Sequence, residues 1–167
     1  MKIKTQFINS MVIFGIILLI IGTSVIVTNQ QVERLNMQEE IARNIERGAS
    51  ELGYLSNDYL LYHESTQRAR WESKFSDLSD DISDLNPNTP EQQALVNNIR
   101  SNQLRLRSVF TDVVSTFENK SADQALFQIS WSRMAVQNQG MVFDAARLSQ
   151  MLRDQADQMK QTNLMTL

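Results

Sequence analysis

The stretch "NPNTPEQQ", Asn86 to Gln93, contains both prolines of a 167-residue chain, and its reading decides the fold. Asn86 and Pro87 end any helix that precedes them, because the residue before a proline avoids the helical region. Thr89 is a good N-cap and Pro90 suits the first helical position. Gln92 follows Thr89 by three residues and completes a capping box. One helix therefore stops and another starts within eight residues.

Outward from this turn the chain is almost unpunctuated. Neither glycine nor proline occurs between Gly53 and Pro87, or between Pro90 and Gly140. Few β-branched runs interrupt abundant Gln, Glu, Arg, Leu and Met, a composition that favours helix. Upstream, Trp71, Phe75, Leu78, Ile82 and Leu85 repeat in 4-3-4-3 steps, which predicts a helix over about 66–85 with Ser65 or Thr66 as its cap. Further upstream, Leu35, Ala42 and Ala49 alternate with Ile45, Leu52 and Tyr59 as a heptad seam over about 29–64. Downstream, Leu95, Ile99, Leu106, Val109, Val113 and Phe117 mark a helix over about 89–117. Ser121 and Gln124 form a second capping box. They open a helix over about 121–167 whose seam reads Trp131, Ala135, Val142, Ala145, Leu152, Ala156 and Met159.

Phe7 to Val27 ("FINSMVIFGIILLIIGTSVIV") is nearly all apolar, and no charge occurs between Lys4 and Glu33. As a helix it covers roughly 30 Å, the thickness of a bilayer's hydrocarbon core. Lys2 and Lys4 place residues 1–6 in the cytoplasm, 7–28 in the membrane and 29–167 outside. A cleaved signal peptide is the rival, with Gly22-Thr23-Ser24 as a cleavage site. Against it, Val25, Ile26 and Val27 extend the run beyond an ordinary signal core. All 19 acids and 14 of the 16 basic residues follow the apolar run, so the exterior part is mildly acidic.

At 1.5 Å per residue the four exterior helices rise about 54 Å, fall about 30 Å, rise about 43 Å and fall about 70 Å. These nearly cancel. The expected fold is therefore all-α: a transmembrane helix, then an antiparallel up-down-up-down four-helix bundle in which Leu167 returns to the membrane near Asn29. Such a chain is expected to continue past Leu167 into a second transmembrane helix and a cytoplasmic output module.

This arrangement resembles the four-helix-bundle extracytoplasmic sensor domains of chemoreceptors and membrane-bound sensor histidine kinases. The likeness spans the whole chain and is mainly architectural. The segment "LSNDYLLYHESTQRARW" is similar to a recurring pattern at the helix 1–2 turn of such kinases, carried here by Asp58, Tyr59, Leu60, Leu61, Arg68, Arg70 and Trp71. The resemblance implies sensing outside the membrane and transmission to a kinase or chemotaxis module, with no catalytic residue in this part.

Candidate sites follow from the same pattern. Tyr59 and Tyr62 are expected to pack on Trp71 and close the distal end of the bundle. His63 has no second histidine or cysteine with which to share a metal, and reads as an exposed turn residue. At about 43 Å above the membrane, Ser56–Tyr59, Trp71–Ser73, Asn102–Gln103 and Gln137–Asn138 are expected at one level. Asn102 and Asn138 fall on inward seams, where they should bond one another, a water or a ligand. Two readings stand: a register-setting polar layer, or a small-molecule pocket walled by Tyr59, Trp71, Asn102 and Asn138. Asp77, Asp80, Asp81 and Asp84 make an acidic stripe that could pair with Arg100 and Arg107, two arginines that could instead hold an anion. In helix 4, Ala145, Ala146, Ser149 and Ala156 leave a slim face suited to sliding.

The absence of cysteine excludes disulfides, thiolate metal sites and cysteine nucleophiles. The net charge of −3 argues against general nucleic-acid binding. No metal, cofactor or acid–base pair is expected. The reading is a membrane-anchored sensor domain, dimerising through helix 1, whose small-molecule stimulus is unnamed. The alternative is an anchored or secreted helical interaction protein without signalling output.

Overall fold

In a computed structural model the backbone is described for residues 2–118 and 124–165, and side chains for 11–118 and 128–162. Four helices account for almost all of it: α1 (Lys2–Tyr62), α2 (Ser65–Ser83), α3 (Pro90–Glu118) and α4 (Gln124–Met165). No strand occurs among the described residues. The chain divides into two compact units, residues 38–152 and residues 1–37 with 153–167.

The larger unit is an antiparallel four-helix bundle. Its centre is filled by Ile45 and Leu52 of α1, Leu78 of α2, Ile99 and Leu106 of α3, and Met141 and Leu148 of α4, each at most 2% exposed. Ala42, Ala49 and Ala145 are wholly buried among them, so the backbones of α1 and α4 meet small side chains in this core.

The α2–α3 turn is built on the residues that announce it. Thr89 Oγ1 accepts from the Gln92 backbone N–H at 3.2 Å, and Gln92 Oε1 accepts from the Asn88 N–H at 2.8 Å. Gln92 thus reaches one residue further back than a capping box requires. Gln38 of α1 holds the other side of the turn: its Nε2 donates to the Asp84 carbonyl at 3.1 Å, and its Oε1 accepts from the Asn86 N–H at 2.6 Å. The α1–α2 turn departs from expectation. Glu64, not Ser65 or Thr66, is the N-cap, and it makes no side-chain cap bond. His63 takes φ 54°, a left-handed conformation uncommon outside glycine; this reverses the chain in two residues and leaves neither hydroxyl in capping position. The second expected capping residue, Ser121, and the terminal Leu167 lie outside the described residues.

The expected seams hold for Leu95, Ile99, Leu106 and Val113 on α3 and for Ala145, Leu152 and Ala156 on α4, and depart at the distal ends of both helices. On α4, Met134, Met141 and Leu148 fill the core, while Ala135 is exposed, Val142 is half-buried and Trp131 is 49% exposed. On α3, Phe110 and Val114 are buried where Val109 and Phe117 were expected, and both of those are half-buried. Near their distal ends each helix carries apolar residues in two adjacent phases, and there the bundle buries Phe110 on α3 and Met134 and Met141 on α4.

The smaller unit contains the apolar stretch. Residues 11–20 of α1 are exposed, and α1 holds the one segment among the described residues long and apolar enough to cross a membrane. Its polar residues are accommodated within the helix. Thr23 Oγ1 donates to the Leu19 carbonyl at 2.7 Å and Thr28 Oγ1 to the Ser24 carbonyl at 3.0 Å, so neither hydroxyl is left unsatisfied in an apolar surrounding. Among the described residues, Val32, Leu35 and Ala156 are the buried apolar residues of this unit.

Candidate functional site

Two places in the bundle concentrate polar and aromatic chemistry. The first is an aromatic layer at the α1–α2 turn. Trp71 is 2% exposed and lies face to face with Phe110, the ring centroids 3.7 Å apart and the planes 5° off parallel. Phe75 stacks on it at 5.0 Å. The Trp71 indole Nε1 donates to Ser56 Oγ at 2.9 Å, and Ser56 in turn donates to the Leu52 carbonyl at 2.7 Å. Tyr59 meets the same Phe110 at 5.1 Å and Phe117 at 6.3 Å. Burial raises the Tyr59 phenol pKa above its ordinary value, with Arg68 opposing and Glu118 and Glu72 reinforcing the rise. Tyr62 does not join this layer: it is 61% exposed, because the chain leaves α1 at that residue. His63 is exposed, its ring lying 3.8 Å from that of Phe117.

The turn motif divides between core and surface. Tyr59 and Leu60 are buried, while Leu61 is 68% exposed. Asp58 is half-buried. Arg68 binds Glu72 at 2.8 Å and Glu118, at the end of α3, at 2.7 Å, tying the start of α2 to a second helix. Arg70 lies with Tyr54, Lys74 and Asp77 in an open groove between α1 and α2.

The second place is a cleft of about 230 Å³ between α1 and α4. Gly53, Ser56 and Asn57 form its α1 wall; Trp131, Asn138 and Gln139 stand on α4. Trp131 Nε1 donates to Asn57 Oδ1 at 2.7 Å across the cleft. Asn138 is 6% exposed, and neither end of its carboxamide has a hydrogen-bond partner. A buried amide in that state costs about 1–3 kcal/mol.

The four expected wall residues do not converge. Tyr59 and Trp71 meet through Phe110. Asn138 lies against Gly53, whereas Asn102 lies against Gly140 and is only half-buried. The two asparagines do not bond one another. On α3 it is Gln103, next to Asn102, that turns inward at this level: it is 8% exposed, and its Nε2 donates to Ser79 Oγ at 2.6 Å. The expected common level fails because residues 84–89 run on beyond the end of α2 before reversing. This drops α3 by roughly two turns, so Trp71 meets Phe110 and Ser79 meets Gln103. Glycines 53 and 140 are the signal that sequence reading passed over: both stand inside helices, where glycine costs about 0.5–1 kcal/mol relative to alanine, and each faces an asparagine.

Arg100 and Arg107 are exposed, and no ion pair joins them to the acidic stripe among the described residues. Arg107 instead lies over the Phe75 ring at 5.3 Å. Within the stripe, burial pushes the Asp81 carboxyl up, and Asp84, Asp77 and Asp80 add repulsion that Lys74 offsets only in part. Burial likewise raises Asp144, with Arg147 opposing. A carboxyl whose folded pKa exceeds its unfolded value stabilises the fold at low pH, and that stability is lost as pH rises through the folded pKa. Asp81→Asn is therefore expected to raise the urea midpoint at pH 7 and leave it unchanged below about pH 3, where the carboxyl is protonated in both states. A lower midpoint at pH 7 would contradict this.

No group of His, Asp or Glu among the described residues is arranged to hold a metal.

No family model matches the chain, and no curated protein does. Two solved structures share its fold. A periplasmic sensor domain of a sensor histidine kinase matches with a TM-score of 0.71 at 12% identity, covering 81% of this chain and 94% of that one. A chain of the XylFII-LytSN complex matches with a TM-score of 0.66 at 13% identity, covering 71% of this chain and 97% of that one. The chain thus has the four-helix architecture of a sensor-kinase sensor domain.

Proposed function

We propose that this chain is the sensing part of a membrane-anchored receptor of the sensor histidine kinase type. Residues 1–6 lie in the cytoplasm, 7–28 cross the membrane and 29–167 stand outside as a homodimer. The observation that carries this reading is the fold likeness, which takes in nearly the whole of a periplasmic sensor domain. The exposed apolar stretch of α1 supports the anchor. Catalysis belongs to a kinase module elsewhere in the receptor, and the signal reaches it as a helix displacement of about 1–2 Å. The small side chains Ala49, Gly53 and Ala135 along the α1–α4 cleft favour such sliding.

A disulfide between α1 and α4 tests the mechanism. A Cβ at position 53 would stand 3.8 Å from Asn138 Cβ, inside the range a disulfide spans. The pair Gly53→Cys with Asn138→Cys, placed in a hybrid with a kinase module after Leu167, is expected to change basal phosphorylation about fivefold or more on oxidation, reversibly with reductant. Full crosslinking with unchanged output would refute helix displacement.

A second reading, a docking bundle for a partner protein, draws on Ile129, Val136 and Phe143. They are exposed at seven-residue spacing along α4.

A further inference from the structure

We infer that the α1–α4 cleft binds an uncharged planar heterocycle that carries an N–H donor and a carbonyl or ring-nitrogen acceptor side by side. The inference deepens the sensor reading, and rests on it for the purpose of the binding.

Three features of the cleft define this chemistry. No charged side chain lines it, so an ion entering it would lose hydration without gaining a counter-charge. A neutral ligand escapes that penalty. Asn138 then supplies both a donor and an acceptor on one flat carboxamide, each without a partner and buried. A carboxamide pairs in bidentate fashion with an adjacent donor–acceptor edge, as asparagine does with adenine in nucleic-acid recognition. Both amide ends are closed to solvent, and Gly53, which packs beside them, presents no side chain; a Cβ there would lie 3.6 Å from Nδ2. Finally, Trp131 provides an indole half open to solvent, held across the cleft by its bond to Asn57. An indole held in place offers a face on which a flat ring stacks. The volume of about 230 Å³ is below that of pockets for drug-sized ligands and suits a single one- or two-ring base.

The contrast with Asn102 sharpens the point. At Gly140 a Cβ would stand 2.7 Å from Asn102 Nδ2, so a side chain there would have to push the Asn102 amide aside. At Gly53 a Cβ would make only ordinary contacts of 3.6–3.8 Å, so packing does not require glycine there. The inferred ligand would approach the carboxamide over Gly53, where it meets no Cβ.

Isothermal titration of the whole chain in detergent with adenine, hypoxanthine and uracil tests the inference, with D-glucose and sodium nitrate as a neutral non-planar probe and a charged one. At least one base is expected to bind at micromolar Kd, and neither control. Trp131→Ala alters a half-exposed residue and should weaken binding tenfold or more without loss of fold. Asn138→Leu should abolish binding. Gly53→Ala should weaken it tenfold while raising the ligand-free thermal midpoint by about 2–4 °C. Binding of glucose or nitrate in place of the bases, no binding by any base, or equal affinity in wild type and Trp131→Ala would each overturn the inference. The readout is binding alone: a base that binds without altering kinase output sinks the sensor reading and leaves the cleft assignment standing.

Discussion

Trp71→Ala is expected to destabilise the bundle by about 3–5 kcal/mol, the usual cost of deleting a fully buried aromatic. Three contacts disappear together: the face-to-face stack on Phe110, the stack on Phe75 and the indole bond to Ser56. Aromatic pairs contribute about 0.5–1.5 kcal/mol beyond the area they bury, and Phe110 also carries Tyr59. A cavity there loosens α1, α2 and α3 at once. Urea denaturation followed by circular dichroism should show the midpoint falling by about 2 M, given slopes of 1–3 kcal/mol/M for proteins of this size. Tyr62→Ala is the internal control. That side chain is exposed, and its loss should fall within about 0.5 kcal/mol. Equal effects of the two substitutions would mean that Trp71 does not organise the distal layer.

Much of this architecture was legible because helix punctuation is local. Pro87, Pro90 and Thr89 act on their own neighbours, and the structure places the α2–α3 turn on them. Trp71, Phe75, Leu78 and Ile82 were legible for a related reason: α2 offers a single apolar phase. On distal α4 two phases compete, while Ala145, Leu152 and Ala156 lie in the core as expected. Trp131 drew the expected seam to Ala135 and Val142, one residue from the buried Met134 and Met141. Its indole is satisfied instead by Asn57, 74 residues distant, a partner no local pattern can show. Adjacent polar residues raised the same ambiguity on α3, where Gln103 turns inward to Ser79 and Asn102 only partly does. The candidate pocket was the least legible part. Its expected level depended on where α3 begins relative to α2, and an extended turn changes that without altering any periodicity. Gly53 and Gly140 held the missing information. Read as breaks, they marked nothing; inside helices they mark where an asparagine of a neighbouring helix comes close.

The proposed orientation makes an all-or-none prediction. Burying the exposed apolar side chains of residues 11–20 in hydrocarbon is favourable by about 0.8 kcal/mol for each buried CH₂ group, far more than any contact this segment makes within the chain. In the proposed topology the two lysines that precede it are the charges that would hold the N-terminus on the cytoplasmic side. The proposal that the segment is retained, in place of cleavage after Ser24, rests on its continuation through Val25, Ile26 and Val27 within the one helix α1. The exterior bundle should then be open to reagents that cannot cross the membrane.

The natural chain has no cysteine, so one introduced thiol reports without interference. Asn98 is exposed on α3, and Thr5 precedes the apolar run. In intact spheroplasts, a membrane-impermeant maleimide should label Asn98→Cys to completion, on a band of the full 19.2 kDa chain. Thr5→Cys should react only after permeabilisation. Protection of Asn98→Cys with labelling of Thr5→Cys, or a shortened chain released from the membrane, would contradict an anchored extracytoplasmic sensor.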